Sequence, residues 1–345
     1  MLPLIIQPLS GISEFIASRA YSNVFVLTDE NTVKYCYPVV EPLLRNHVLL
    51  KIPAGEPHKT LNTCTSVWQQ FTIHEADRNS LLINLGGGMV GDLGGFAAGC
   101  YKRGIDFVNI PTSLLAMVDA SVGAKTGIDF LGYKNLLGLF YEPQKIFLHT
   151  DFLKTLPHRE FRSGMAEVMK HALIADKTLW GKLPLKFLLQ NMENVSDLVL
   201  QNIAIKSKFV IADPTEKGVR QALNFGHTIG HALESLLLTT PQPLLHGEAV
   251  AAGIVMESFL SMKVGLLTND ELEAIVKAVS LNFDLPVLTE EQHATIIHYL
   301  KNDKKNREKH ITCCFLNGIG NYSLPHYVTE KDIFNALEFY NDVAT

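Results

Sequence analysis

The sequence predicts two successive domains, an α/β domain over residues 1–157 and a mainly α-helical domain over residues 158–345. In the first half, short runs rich in β-branched residues alternate with segments of helical spacing, which is typical of a parallel sheet covered by helices. After about Pro157, long amphipathic segments follow one another with few β-branched runs. A chain of 345 residues is long enough for each domain to have its own core.

The predicted elements follow from hydrophobic spacing. The N-terminal segment Met1–Leu9 is predicted as a first strand, and Leu61–Phe71 as a helix. Further buried strands are predicted at Val24–Leu27, Val48–Ile52, Leu81–Leu85 and Phe107–Ile110. In the second half, helices are predicted over residues 160–175, 195–211, 222–238, 248–264 and 271–281.

Composition excludes several classes of partner. The net charge is −5 and no block of basic residues is present, which argues against binding to nucleic acid or to an anionic membrane. The five cysteines are odd in number and lack a Cys-x-x-Cys spacing, which argues against a disulfide framework. No basic lead-in opens the chain, and no apolar run reaches the length of a bilayer crossing. We therefore expect a soluble, cytoplasmic protein.

A glycine cluster follows the strand predicted at Leu81–Leu85. The segment Gly86–Asp92 reads Gly-Gly-Gly-Met-Val-Gly-Asp and leads into a helix predicted to begin near Gly91. Glycines let a phosphate approach the backbone, and a helix N-terminus favours negative charge. The match to the dinucleotide fingerprint is loose, so a plain tight turn remains an alternative. Polar residues at the ends of neighbouring strands, in Thr28–Asn31, Ala54–Lys59 and Asn109–Ser113, favour a Rossmann-like nucleotide-binding domain, although each could also be a solvated loop.

Three histidines indicate metal chemistry in the second half. His227 and His231 are spaced to share one face of a helix, and His246 follows close downstream. Imidazole suits zinc, and a catalytic zinc needs three protein ligands plus an open position. A two-histidine pair is a weak signal by itself, but Glu167 lies in an apolar helical run where a carboxylate is costly without a cation. The sequence thus favours a metal-binding helical domain while leaving the ligand set open.

Cationic side chains also stand among glycines and small residues. They occur in Lys102–Gly104, Ala124–Thr126 and Tyr133–Asn135. A lysine in a glycine-lined turn is well placed to contact a phosphate or carboxylate, although singly each is more often a surface residue. Together they predict a small, acidic, phosphorylated substrate.

These motifs, in this order, closely resemble the 3-dehydroquinate synthase family of the sugar-phosphate cyclase superfamily. The resemblance runs from about Thr28 to Gly320 and is carried by Gly86–Asp92, Tyr101–Gly104, Pro111–Leu115, Val118–Lys125, Lys134–Asn135, Ala166–Lys170, Asn224–His231 and Leu245–Glu248. It implies NAD+ in the α/β domain, zinc or cobalt in the helical domain, and a homodimer in which Arg103 reaches the neighbouring subunit's site.

The resemblance also implies an activity. The family is a phosphorus–oxygen lyase of the shikimate pathway, acting at the second step of chorismate biosynthesis. It converts 3-deoxy-D-arabino-heptulosonate 7-phosphate to 3-dehydroquinate and phosphate by transient NAD-dependent oxidation, phosphate elimination, re-reduction and intramolecular aldol closure.

The family's functional positions carry over residue by residue. Metal ligands fall on Glu167, His227 and His246, which leaves His231 facing substrate. Cofactor positions fall on Asp29, Glu56, Lys59, Gly87, Gly88, Asp92, Thr112, Ser113, Lys125, Lys134, Thr155 and Glu160. Catalytic and substrate positions fall on Arg103, Asp119, Lys125, Asn135, Lys170, Lys206, Arg220, Asn224, His231 and one of Lys304 or Lys305. Two departures are small: Asp213-Pro214 replaces the usual acidic pair, and the segment between His231 and His246 is somewhat long.

Three rival functions are distinguished by simple observations. A related cyclase acting on glucose 6-phosphate or sedoheptulose 7-phosphate would turn over a neutral sugar, whereas Arg220, Asn224 and His231 together favour the acidic substrate. A metal-dependent polyol dehydrogenase would release NADH stoichiometrically. A catalytically inactive binding protein would release no phosphate with or without Glu167.

Overall fold

The structure is a computed structural model that describes residues 6–131, 133–192, 194–238, 240–302 and 311–345. The chain divides into two compact units. The first comprises the described residues up to Pro157 together with Asn194–Ile203, and the second comprises His158 onward apart from that segment.

The first unit is built on a six-stranded parallel sheet. Its strands are β1 (Ile6–Pro8), β2 (Val24–Asp29), β3 (Val48–Ile52), β4 (Leu81–Gly86), β5 (Asp106–Pro111) and β8 (Lys145–Leu148), with β6 and β7 forming a separate hairpin. The spatial order is β1-β8-β5-β4-β2-β3, and every neighbouring pair is parallel. The order reverses between β2 and β4, so the carboxyl ends of these two strands form the crevice where such sheets bind ligands.

Helices cover this sheet. They are α1 (Ile12–Arg19), α2 (Glu30–Tyr35), α3 (Tyr37–Val40), α4 (Leu61–Ile73) and α5 (Gly88–Cys100). Strand β4 is buried along its whole length, and its sequence is accordingly apolar except for Asn84, without polar alternation. The hydrophobic core between this sheet and its helices includes Phe25, Phe71, Leu82 and Phe107.

A β-hairpin packs on α5. It is formed by β6 (Lys125–Phe130) and β7 (Tyr133–Phe140), which pair antiparallel. Sequence analysis placed Lys125 in a glycine-lined turn, whereas the structure begins β6 at this residue, directly after that turn. The hairpin matters for function because it carries the sequence-predicted residues Lys125, Lys134 and Asn135.

The second unit is mainly helical. Its helices are α6 (His158–Ala175), α7 (Lys177–Lys182), the latter part of α8 (Val195–Ala212), α9 (His227–Leu237), α10 (His246–Lys263), α11 (Asn269–Ser280), α12 (Glu290–Asn302) and α13 (Glu330–Ala344). A two-stranded antiparallel hairpin, β9 (Ile311–Leu316) and β10 (Tyr322–Val328), accompanies them and was not predicted from the sequence. The predicted fold class, a Rossmann-like α/β part followed by a mainly helical part, is confirmed.

Two helix boundaries differ from the sequence prediction. Helix α5 begins at Gly88, one turn before the predicted start, because Gly87 already serves as its N-cap. The predicted helix over 222–238 is interrupted: Val219–Asn224 forms a 3₁₀ turn, and α9 begins only at His227. The interruption lies at Gly226, whose φ of +78° is incompatible with a continuous right-handed helix.

Among the described residues, none of the helices has both the length and the apolar character that crossing a bilayer would require.

Candidate metal centre and cofactor crevice

Helices α6, α9 and α10 approach closely because glycines stand at their contacts. A Cβ atom on Gly253 would lie 1.9 Å from the backbone oxygen of Gly226, and one on Gly247 would lie 2.0 Å from that of Ser163. Neither distance is possible for a real side chain, so only glycine allows these backbones to touch. The close approach brings side chains from three helices to one place.

Three sequence-predicted ligands meet there. Oε1 of Glu167 on α6 lies 3.2 Å from Nε2 of His227 on α9 and 3.4 Å from Nε2 of His246 on α10. Glu167 is fully buried. The ligand nitrogens of His227, His231 and His246 also lie within 4.8 Å of one another. Both ligand sets considered from the sequence are therefore neighbours, and Glu167 approaches the Nε2 atoms of His227 and His246.

Contacts at Nδ1 orient the two imidazoles that approach Glu167. Nδ1 of His227 lies 3.1 Å from the carbonyl oxygen of Phe225, and Nδ1 of His246 lies 3.3 Å from Oε2 of Glu234. Both partners are acceptors, so each can hold a proton on Nδ1. Nε2 of each ring is directed at Glu167, which is the orientation that metal-binding histidines adopt once Nε2 carries no proton.

Oε1 of Glu167 faces Nε2 of His227 and Nε2 of His246. Two ligand atoms on a tetrahedral zinc, at bond lengths of about 2.0–2.1 Å, are separated by about 3.3 Å. The observed separations of 3.2 and 3.4 Å match that spacing. The residues present thus fit a divalent cation bound by one carboxylate and two imidazoles.

The charges of the site favour a cation. Burial by itself raises the pKa of Glu167, but Lys170 and His227 outweigh it and hold the pKa well below its usual value. Burial lowers the pKa of His227. For His246, Glu234 and Glu167 outweigh the effect of burial and raise the pKa to about 10. The same two carboxylates that attract a proton to His246 would attract a metal ion, so protons and metal compete for this site.

The remaining predicted residues of the second unit lie on neighbouring elements. Lys170 contacts Oε2 of Glu167, one turn along α6. Arg220 is buried, and its Nη1 donates to the carbonyl oxygen of Pro214 at 2.8 Å. Asn224 donates from Nδ2 to Oε1 of Glu216 at 2.8 Å. Lys206 is buried on α8. Lys304 and Lys305 lie outside the described residues.

In the first unit, predicted cofactor residues stand at the carboxyl ends of the central strands. Gly87 follows β4 and caps α5, and Asp29 ends β2. Oδ1 of Asp29 accepts from the backbone nitrogens of Asn31 and Thr32, at 2.9 and 2.7 Å. Thr112 follows β5 and is held by a bond from its nitrogen to Gly86 at 3.0 Å. Gly88 and Ser113 adjoin these residues.

A buried lysine links two further groups of predicted residues. Nζ of Lys59 lies 2.6 Å from Oδ2 of Asp92 and 2.6 Å from Oδ1 of Asn135. Lys134 pairs with Glu56 at 3.0 Å. Burial by itself lowers the pKa of Lys59, but Asp92 and Glu56 outweigh it and raise the pKa. Lys59 therefore stays charged and ties α5 to the hairpin that carries Lys134 and Asn135.

Replacement of Lys59 by methionine should destabilise the protein. The change leaves the Asp92 carboxylate without its closest cation, and breaking such a buried pair costs about 3 kcal/mol. Thermal or urea unfolding measures the loss. The control is Lys154→Met, which removes a pair with Asp151 whose partners are 70% and 60% exposed. This change should alter stability by less than about 1 kcal/mol. Equal effects of the two substitutions would contradict the prediction.

The other predicted cofactor and substrate residues up to Glu160 lie on several elements. Lys125 is exposed at the start of β6, and Arg103 is exposed in a turn with φ of +69°. Asp119 lies in a π-helical turn, Ala116–Ala120, after β5. Thr155 donates to the carbonyl oxygen of Phe152 at 3.1 Å. In the second unit, Glu160 lies in the first turn of α6, where burial raises its pKa.

Two family models match adjoining parts of the chain. A family model described as 3-dehydroquinate synthase N-terminal matches residues 49–163, and one described as 3-dehydroquinate synthase C-terminal matches residues 164–306. The chain belongs to the 3-dehydroquinate synthase family.

Relatives support the same membership. The chain is 40% identical to a 3-dehydroquinate synthase of Parabacteroides distasonis over 336 residues, covering 96% of this chain and 95% of that protein. It is 42% identical to one of Campylobacter concisus over 290 residues, covering 84% and 83%. A solved structure of 2-epi-5-epi-valiolone synthase from Streptomyces hygroscopicus, with NAD+ and Zn2+ bound, is 26% identical with a TM-score of 0.84, covering 98% and 96%. Members of the 3-dehydroquinate synthase family are enzymes, and so is this chain.

Two carboxylates of the centre were not singled out by sequence reasoning. Glu234 supports His246, and Glu257 on α10 is fully buried beside the start of α9. Both residues could have been found by the signal that indicated Glu167, which is a carboxylate within an otherwise apolar helical face. Spacing alone does not tell which buried acid binds metal and which supports a ligand.

Replacement of Glu234 by glutamine should weaken zinc binding by about 10- to 100-fold, because loss of the hydrogen-bond partner of a metal-binding histidine lowers metal affinity by this factor. Glutamine keeps the shape of the side chain but loses the charge that stabilises the Nδ1 proton of His246. Competition with a chromophoric chelator measures the affinity. Glu338→Gln is the matched control, because Glu338 contacts Nδ1 of His293 at 3.4 Å outside the centre. Unchanged zinc affinity in Glu234→Gln would overturn the role given to Glu234.

Proposed function

We propose that the chain converts 3-deoxy-D-arabino-heptulosonate 7-phosphate to 3-dehydroquinate and phosphate, the second step of chorismate biosynthesis. The observation that carries this proposal is the grouping of Glu167, His227 and His246 around one point, in a chain whose two halves both match the family. The reaction consists of transient oxidation, elimination of phosphate, re-reduction and intramolecular aldol closure. It is a phosphorus–oxygen lyase reaction because phosphate leaves by elimination.

The proposed cofactors are NAD+ and zinc, with cobalt as a possible substitute. When bound, NAD+ would accept a hydride and return it, and the metal would stabilise negative charge on a substrate oxygen. The solved 2-epi-5-epi-valiolone synthase, which holds NAD+ and Zn2+, supports this pair. Glu167, His227 and His246 would hold the metal. Asp29, Gly87, Gly88 and Thr112, with Ser113 beside them, would hold the nucleotide at the carboxyl ends of β2, β4 and β5.

Polar and cationic side chains would bind and orient the substrate. Arg220 suits the substrate carboxylate, because its planar fork can form two parallel hydrogen bonds. Lys125, Asn135 and Arg103 suit the phosphate. His231 would move a proton near the leaving group, and Asn224 would assist there by hydrogen bonding, with Glu216 holding the amide of Asn224. Fixing a flexible chain in this way contributes to ring closure by up to roughly 10 kcal/mol.

The remaining assignments belong to the same proposal. Glu56, Lys59, Asp92 and Lys134 form a charged network beside the proposed nucleotide site. Lys170, in contact with Glu167, would stand between metal and substrate. Asp119, Lys206, Thr155, Glu160 and Lys304 keep the roles that the family resemblance implies. The cytoplasmic location also stays a prediction.

The decisive experiment is a phosphate-release assay with purified protein, NAD+ and zinc. The heptulosonate 7-phosphate should yield phosphate and 3-dehydroquinate without net formation of NADH. Parallel reactions contain glucose 6-phosphate or sedoheptulose 7-phosphate. Turnover of a neutral sugar phosphate alone would assign the chain to another cyclase activity. Stoichiometric accumulation of NADH would identify a dehydrogenase instead.

We also propose that the enzyme is a homodimer. Large apolar side chains are exposed on the hairpin of the first unit, with Leu131 79%, Tyr133 66% and Phe140 57% exposed. A group of this kind favours contact with another protein surface. Sedimentation equilibrium measures the mass in solution, and a monomer at working concentrations would contradict this part of the proposal.

A further inference from the structure

The N-terminus of α9 has no cap of its own. Its N-cap residue is Gly226, which has no side chain to accept a hydrogen bond from the first turn. A Cβ atom at this position would lie 2.7 Å from Cγ1 of Ile254 and 3.1 Å from the carbonyl oxygen of Val250. A capping serine or aspartate therefore cannot occupy the position. The free amides of the first turn must find an acceptor elsewhere.

Glu257 on α10 supplies that acceptor. Its Oε2 accepts from the backbone nitrogen of Gly226 at 2.8 Å, and its Oε1 accepts from that of Ile229 at 3.1 Å. Glu257 is fully buried. A buried carboxylate is costly unless it is well bonded, and a helix N-terminus is the end that favours negative charge. A distant residue thus performs the capping that Gly226 cannot.

The two capped amides flank a proposed metal ligand. His227 follows Gly226 directly and precedes Ile229 by two residues. With both neighbouring amides held, the position of the His227 backbone is fixed, and the bond from Nδ1 to Phe225 then fixes its ring. We propose that Glu257 is a positioning residue of the metal centre, holding His227 where its Nε2 meets the ion. This inference rests on the proposed metal-dependent function.

The location of Glu257 gives this arrangement a second consequence. Helix α10 begins with His246, and Glu257 lies about three turns further along the same helix. Between them, Gly253 allows α10 to touch the Gly226 turn. One rigid helix therefore carries one metal ligand and sets the position of another. The separation of His227 and His246 is fixed before any metal binds.

The test compares zinc and cobalt binding in Glu257→Gln and Glu271→Gln. Glutamine can accept only one of the two amide bonds, and its NH2 group then opposes the other N–H. Glu271 is the matched control, since it caps α11 through Thr268 and accepts from the nitrogen of Ile319 at 3.2 Å, outside the centre. Both variants should lose thermal stability. Only Glu257→Gln should lose zinc affinity, by about ten-fold or more, and change the visible spectrum of bound Co2+.

Zinc affinity and a Co2+ spectrum equal to those of the wild type in folded Glu257→Gln would overturn the inference while leaving the proposed function intact. Failure of the wild-type protein itself to bind either metal would overturn the proposed function and, with it, the role of Glu257. These two failures are distinguishable because metal binding by the wild-type protein is measured separately from metal binding by the variant.

A measurement on the wild type keeps the inference testable if Glu257→Gln does not fold. Amide hydrogen exchange is followed at Gly226 and Ile229 in the folded protein treated with chelator. If Glu257 fixes the segment in advance, both amides stay protected after the metal is removed. Rapid exchange at both positions in the metal-free protein would show that the metal, and not Glu257, orders the segment.

Discussion

Replacement of Glu167 by glutamine is expected to abolish turnover almost completely, with kcat reduced by at least about a thousandfold. Glutamine retains the size of the side chain but removes the charge, and the amide cannot offer its nitrogen to a cation. Catalytic zinc needs its three protein ligands, and loss of the one anionic ligand removes both affinity and charge balance. Phosphate release from the heptulosonate 7-phosphate measures the effect, and metal analysis of the purified variant measures the cause.

The contacts of Glu167 explain why its replacement should affect the metal centre in particular. The carboxylate is fully buried, with Lys170 at one oxygen and the Nε2 atoms of two imidazoles at the other. The control is Glu330→Gln, which weakens an ion pair with Lys301 whose partners are 60% and 48% exposed, on a helix that carries none of the three ligands. Glu330→Gln should retain bound zinc. Full activity of Glu167→Gln with no bound metal would reject the metal-dependent mechanism.

Periodicity predicted the central strands of the sheet and the long helices between residues 158 and 281, because burial on one face dictates the spacing of apolar residues. The buried strand β4 and helices α6, α10 and α11 all lie within a few residues of their predicted ranges. The interrupted start of α9 was not predicted. Residues 222–238 keep a helical pattern, and the break at Gly226 is imposed by contact with α10, which local spacing does not record.

The β9–β10 hairpin was missed for a related reason. Ile311–Leu316 is short, and sequence periodicity alone cannot distinguish a short apolar run from a piece of buried helix. This half was predicted only to be mainly helical, with no element assigned to Ile311–Leu316.

The candidate site was predicted in part from spacing and in part from resemblance. The helical spacing of His227 and His231 predicted nearby imidazoles, and their ring centres lie 5.0 Å apart. The apolar surroundings of Glu167 indicated a cation beside it, and the family resemblance implied that its partners are His227 and His246. The supporting acids Glu234 and Glu257 carry no sequence motif, because their roles depend on which backbone or ring they face across a helix contact.

Replacement of Gly253 by alanine is expected to destabilise the protein by at least about 3 kcal/mol, the upper part of the range for overpacking. The added Cβ would lie 1.9 Å from the Gly226 oxygen and 3.0 Å from the nitrogen of Gly230. Both obstacles are backbone atoms of α9 and its preceding turn, so no side-chain rotation relieves the clash. Helix α10 must move away, which also separates His246 from His227. The free energy of unfolding measured with urea and the affinity for zinc should therefore decrease together.

Gly181→Ala is the matched control for this substitution. Gly181 lies in helix α7, and an added Cβ would meet nothing within 4 Å. Alanine should be neutral there or stabilise the protein by up to about 1 kcal/mol, because it reduces the conformational freedom of the unfolded chain. Wild-type stability in Gly253→Ala would mean that α9 and α10 can separate without cost. In that case close packing would not be what holds His227 and His246 around one ion.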